Sequence, residues 1–245
     1  MKTYKDEAII IRVKPLKEAD KLLILLTKNY GVIETVAKGG AKSTSRKVSS
    51  IDLLNNIKVE LYKSDGIDII REIEVKNDYI KLKQNKDTIN QLLYIVEIVN
   101  RLFNNYIGES DIFFLLKSLL EHACDAPEYI EKYIAGFELK LLKLSGFEPK
   151  LQEYTNTGQK MEAGDKRILA YGEELGYAYS EESSSEESIK DEIIKVQRFL
   201  ITSNFDQIKN LTVERKFLLK IIDIHKEWIE RTIEKRLKSR SILKY

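Results

Sequence analysis

Thr27 to Lys47 reads TKNYGVIETVAKGGAKSTSRK, and the reading of this stretch decides the fold. Asn29-Tyr30-Gly31 is a turn signal, Val32 to Ala37 is a short β-branched run, and Gly39-Gly40 breaks it. A polar arm follows, so that Lys38, Lys42, Arg46 and Lys47 stand against the single acid Glu34. This is a basic loop hung on a sheet. Glycines let the backbone approach a ligand closely, lysine and arginine are the usual partners of phosphates, and Ser43, Thr44 and Ser45 can donate to the same oxygens. An isolated basic loop is more often a solvated surface loop, so the frame around it has to decide.

Upstream, Ala8 to Val13 (AIIIRV) and Leu22 to Thr27 (LLILLT) are strand-like runs separated by the polar bend Lys14 to Asp20. Downstream, Leu53 to Tyr62 alternates at Ile57, Val59 and Leu61, Ser64-Asp65-Gly66 turns, and Ile67 to Val75 alternates again. Five strands in about seventy residues, with no long helix among them, suit a small Greek-key barrel of the OB type, although other small β folds fit the same count. After Asp78 the period changes. Leu82 to Tyr106 places Leu92, Val96, Val99 and Phe103 on one helical face, and Asp111 to Cys124 is a second, very apolar helix. A third starts at Asp125-Ala126-Pro127-Glu128 and runs to Ser145, where Gly146 and Pro149 stop it. Glu148 to Ser188 loses periodicity and ends in EESSSEES; helix returns at Ile189 to Thr202 and again after Thr212. The expected class is α+β: an OB-fold nucleic-acid-binding domain over residues 1–79, then an all-helical domain over 80–245 with an irregular insert at about 148–188.

The 245 residues are 43% hydrophobic and 33% charged, with a net charge of +2, the profile of an ordinary globular chain. Charge is uneven, with basic excess in the loop above and in a C-terminal tract from Lys226 to Lys244. No apolar run approaches the ~18 residues that span a bilayer, and Arg12 and Lys14 interrupt the short apolar start, which argues against a membrane or secretory address. The cytoplasm is the default. One cysteine, Cys124, excludes an intrachain disulfide and a cysteine-cluster metal site.

No phosphate loop, dinucleotide fingerprint or nucleophile elbow is present, and carboxylates are scattered, so the chain is read as not an enzyme. His122 and His225 fall on apolar helix faces, where histidines are more often packed than catalytic. Cys124 reads as a small hydrophobe. Binding chemistry is better supplied: Tyr30 and Tyr62 are candidates for base stacking, or else for packing at the barrel edge, and Lys14, Lys17 and Lys21 can extend the basic patch. The alternative is a protein-protein adaptor whose helical domain holds an acidic peptide tail in an apolar groove. Ile112, Phe113, Leu116 and Phe137 are the groove candidates, against the usual inward packing of such stripes.

Blocks spread over the chain then resemble a known family. Ala8-Ile9-Ile10-Ile11-Arg12, Glu18-Ala19-Asp20-Lys21-Leu22, Leu26-Thr27-Lys28 with Gly31, Ala37-Lys38-Gly39-Gly40-Ala41-Lys42 with Ser45-Arg46, an acid at Glu72 or Glu74, Leu144-Ser145-Gly146-Phe147-Glu148-Pro149-Lys150-Leu151 and Arg236-Leu237-Lys238-Ser239-Arg240 are similar to RecO, the bacterial recombination mediator. The resemblance implies an OB domain, a helical domain and a zinc-binding insert. It also implies binding of single- and double-stranded DNA, contact with RecR and with the C-terminal tail of single-stranded-DNA-binding protein, recombinase loading, strand annealing, and a cytoplasmic, nucleoid-associated place. It carries the DNA-contacting surface onto Arg12, Lys38, Lys42, Arg46 and Lys47. One departure stands out: Tyr154-Thr155-Asn156-Thr157-Gly158 and Gly176-Tyr177-Ala178-Tyr179-Ser180, with Ser183, occupy the places of the family's two cysteine pairs. No zinc or other cofactor is expected, and the insert is expected to be held by tyrosine packing or left loose.

Overall fold

The computed structural model describes residues 2–16, 19–40, 50–103, 110–170, 172–182, 188–234, 236–237 and 239. Five strands come first: β1 (Thr3–Pro15), β2 (Lys21–Thr27), β3 (Gly31–Ala37), β4 (Asn56–Tyr62) and β5 (Asp68–Asn77). They close in the order β1-β2-β3-β5-β4, antiparallel throughout except for the β3–β5 seam. A small closed barrel of this order is the OB arrangement expected from the alternation. Its interior is filled by Ala8, Ile10, Leu23, Leu25, Ala37, Ile51, Ile57, Val59, Leu61 and Ile70. The β2–β3 turn is fixed by Asp6, whose carboxylate accepts from the Asn29 backbone at 2.9 Å and side chain at 2.7 Å, while Gly31 takes φ +68°.

Two compact units divide the chain, Met1–Cys124 and Asp125–Tyr245. Residue 79 marks the change from strand to helix, and the helices that follow as far as Cys124 remain with the barrel. These are α1 (Ile80–Gln84), α2 (Lys86–Leu102) and α3 (Asp111–Asp125). Asn85 caps α2 by accepting from the backbone of Asp87 and Thr88 at 3.0 Å each. Lys117 of α3 donates to Glu7 of β1 at 2.9 Å.

Glu7 gives the barrel unit a measurable acid response. Partial burial pushes its carboxyl up, but hydrogen bonds from Asn56 and Lys117, with the charges of Lys117 and Lys76, outweigh it, so its pKa lies below the ordinary 4.5. Stabilisation from this group is complete above that ordinary value and is lost as pH falls through the lowered one. Glu7→Gln removes the dependence. In acid-unfolding curves the wild type loses stability relative to the variant as pH falls below the ordinary 4.5; parallel curves would remove Glu7 from the account.

The second unit holds a 3-10 turn at Pro127–Tyr129 and α4 (Ile130–Leu144), then β6 (Arg167–Leu169), β7 (Tyr177–Tyr179), α5 (Asp191–Thr202), α6 (Phe205–Lys209) and α7 (Arg215–Thr232). Gly146, at φ +84°, ends α4, and the Phe147 amide donates back to the Leu142 carbonyl at 2.9 Å. Leu139, Leu142, Leu200, Ile221, Ile222 and Trp228 are among its fully or nearly fully buried side chains. The stretch read as irregular contains the antiparallel pair β6–β7.

Candidate nucleic-acid interface

One band on the outside of the barrel collects the relevant side chains. Lys14 pairs with Leu22, Leu22 with Val36, Val36 with Ile69, and Ile69 with Tyr62, so a single lateral row crosses all five strands. The residues beside them, Val13, Leu23, Ala37, Ile70 and Leu61, belong to the interior, which places the row on the outer face. All five row residues are half-buried. Next to the row, Arg12 pairs with Ile24 and Ile24 with Glu34, and both charged residues are exposed.

A bulge aims Arg12. Ile10 pairs with Leu25 but Arg12 with Ile24, so Ile11 is an extra residue in β1. Ala8 and Ile10 point inward, and in a regular strand of the same sequence Arg12 would follow them; with the bulge at Ile11, Val13 takes the inward place and Arg12 faces solvent.

Lys38 lies at the same end of β3 as the start of β2, since Ala37 pairs with Lys21. It is exposed, in a turn that Asp20 holds by accepting from the Gly39 backbone at 2.9 Å. Gly39 takes φ +68°, and at Gly40 a Cβ would lie 2.9 Å from the Ile51 side chain and 3.1 Å from the Ala37 carbonyl, so the Gly-Gly break is required by a positive φ and then by close packing. Lys42, Arg46 and Lys47, on the arm that leaves this turn, lie outside the described residues. The loops that flank the band carry Leu16, between β1 and β2, and Ile67, between β4 and β5, each 43% exposed.

Of the two stacking candidates, the structure brings only Tyr62 to the band. Tyr30 sits at the opposite end of β2, about 20 Å along the strand from Lys38. There it is 45% exposed and packs edge-on against Tyr4 at 4.7 Å. Sequence reading missed Leu22, Val36 and Ile69 as surface, because only the register shows that they share a row.

The groove candidates are corrected outright. Ile112, Phe113 and Leu116 in α3 are at most 2% exposed and Phe137 in α4 is 0% exposed, so all four are core and none lines an open groove. Phe114 is the exposed aromatic of α3, at 46%, with the Lys28 ammonium 5.3 Å from its ring centre. Both histidines are committed to internal bonds: His122 Nδ1 to the Ser118 carbonyl of its own helix at 2.8 Å, and His225 to a buried network. Among the described residues no group of three His, Cys, Asp or Glu side chains could hold a metal ion, and no helix is long and apolar enough to cross a membrane.

Chemically, Arg12, Lys14 and Lys38 can meet a phosphate backbone, while Leu22, Val36, Ile69 and Tyr62 offer an apolar shelf for base faces. Comparison with known proteins matches two family regions to this chain. The family described as recombination protein O N terminal matches residues 1–79, and recombination protein O C terminal matches 87–241. DNA repair protein RecO of Dehalococcoides mccartyi is 28% identical over 220 residues, 88% of this chain and 85% of that protein. The RecO of Desulforudis audaxviator is 23% identical over 244 residues, 100% of this chain and 97% of that protein. For Symbiobacterium thermophilum RecO the match is 26% over 160 residues, 65% of this chain and 63% of that protein. With both family regions matched in order and a closed barrel filling the first, the chain belongs to the RecO family of DNA repair proteins.

Proposed function

We propose that this chain is a non-catalytic DNA-binding recombination mediator that binds single- and double-stranded DNA and assists recombinase loading and strand annealing. The observation that carries the reading is the outer band of the barrel, in which a bulge-aimed Arg12, Lys14 and Lys38 frame a shelf ending in Tyr62. Oligonucleotides bind OB folds on the face of strands 2 and 3 with the loops between strands 1–2 and 4–5, and this band has the same position. The basic arm at Lys42, Arg46 and Lys47 leaves beside it in sequence. RecR and the C-terminal tail of single-stranded-DNA-binding protein are the protein partners that family membership suggests. The four residues named for the adaptor's groove are buried, so that alternative loses the groove on which it was argued.

Fluorescence anisotropy of a labelled single-stranded oligonucleotide tests the reading. Each phosphate neutralised on a single strand contributes about −0.7 to the slope of log affinity against log salt, so three barrel contacts alone give a slope of about −2. An affinity that does not change between low and moderate salt would sink the phosphate-contact mechanism.

A further inference from the structure

The insert between α4 and α5 stands where a RecO-type zinc finger would be, and its donor set does not fit the metal. Cys124, His122 and His225 are the chain's only cysteine and histidines, and all lie outside residues 148–188. Apart from the Met161 thioether and the lysine amines, neither of them a usual ligand of structural zinc, that stretch offers oxygen donors, which suit magnesium or calcium better than a tetrahedral structural zinc.

Hydrogen bonds join the segments that the cysteine pairs would have joined. Asn156 Nδ2 donates to the Tyr179 carbonyl and its Oδ1 accepts from the Tyr179 amide, each at 3.0 Å, so one side chain pairs with a strand residue as a neighbouring strand would. Beside it the Thr155 amide donates to the Tyr177 carbonyl at 2.9 Å, and the rings of Tyr154 and Tyr179 lie 5.5 Å apart. Gly176 lets the second segment approach the first: its φ is +146°, and a Cβ there would stand 2.7 Å from the Lys150 carbonyl oxygen.

Two polar anchors then tie the insert to the helices of its unit. Arg167, 2% exposed, donates to the Glu162 carbonyl at 2.6 Å and the Asp165 carbonyl at 3.2 Å, and pairs at 2.8 Å with Asp191 in the first turn of α5. Tyr177 donates to Gln197 Oε1 at 2.7 Å. Gln197 Nε2 lies 3.1 Å from His225 Nε2, and His225 Nδ1 lies 3.0 Å from Glu138 Oε2. With Gln197 Nε2 as donor, His225 accepts at Nε2 and donates from Nδ1 to the carboxylate. Tyr177, Gln197, His225 and Glu138 are all 0% exposed, so the chain runs from β7 through α5 and α7 to α4 inside the core.

We propose that the insert is a metal-free finger, in which the Asn156 bridge and the Arg167 and Tyr177 anchors hold together what thiolate-bound zinc would otherwise hold. Thiolate zinc sites lose their metal to chelators and to sulfur oxidation. Amides, a guanidinium and a phenol respond to neither. The insert of this chain therefore keeps its structure without a zinc supply and under thiol-oxidising conditions, which goes beyond the DNA-binding reading and does not rest on it.

The test is amide hydrogen exchange on the full-length protein, untreated, with EDTA, and with the thiol oxidant diamide, together with metal analysis. The expected result is substoichiometric zinc and unchanged protection at Tyr177 to Tyr179 in all three conditions. Asn156→Ala, a change at an exposed position, speeds exchange of the Tyr179 amide about tenfold while α4 and α7 keep their protection. One zinc per chain that survives dialysis, chelator-induced loss of protection in the insert, or a Tyr179 amide indifferent to Asn156→Ala would each overturn the proposal. None of these readouts involves DNA.

Discussion

Arg12→Glu combined with Lys38→Glu weakens binding of a single-stranded oligonucleotide by about 30-fold or more and makes the salt slope shallower by about 1.4, the contribution of two phosphates. Arg12 is exposed on the outer barrel face and Lys38 in the turn after β3, and neither is in the core, so thermal unfolding is unchanged. Lys42→Glu with Arg46→Glu is the matched pair for the arm. Loss in both pairs places DNA across the band and the arm together. Loss in the arm pair alone, with the barrel pair at wild-type affinity, would show that the outer row is not the contact surface, whatever its composition.

His225→Ala destabilises the second unit by about 3 kcal/mol, a depression of the melting temperature of about 6–12 °C. Two losses combine there. The ring stacks on Trp228 with centroids 5.7 Å apart, so truncation opens a cavity in a site that is 0% exposed. It also removes a hydrogen-bond partner of Glu138 and of Gln197, breaking the chain that reaches Tyr177. His122→Ala is the control: that ring is half-exposed and bonded to its own helix, and its loss costs about 0.5 kcal/mol or less. Calorimetry that ranks the two variants equally would show that the buried chain is not what holds the unit.

Much of the fold was legible because its elements carry strong periods. Alternation at Ile57, Val59 and Leu61 and the Gly39-Gly40 break located strands within a few residues of β3 and β4, and the spacing of Leu92, Val96 and Val99 located α2. What was not legible depended on relations between strands. The position of Tyr62 in the band and of Tyr30 away from it follows from pairing register, which a single sequence leaves open. The groove candidates failed for a related reason: Ile112 to Leu116 is apolar all round, so nothing in IFFLL tells that Phe114 faces solvent and its neighbours face the core. Short elements were missed for lack of length. α6 has only five residues, although Asn204 and Gln207 form a capping box that announced it. In the insert, β6 and β7 have three residues each and are held by Asn156, Arg167 and Tyr177 rather than by a repeating apolar face, so period counting had nothing to count.

The extra residue at Ile11 makes the charge of the barrel surface a matter of parity. Pairing the full-length strand without the bulge would exchange the places of Arg12 and Val13, sending a guanidinium toward Leu23 and Leu25, whereas deleting Ile11 leaves Ile10 opposite Leu25, Arg12 opposite Ile24 and the guanidinium outside. The bulge is thus the point at which β1 absorbs a one-residue difference in length from β2 without turning any downstream side chain to the wrong face.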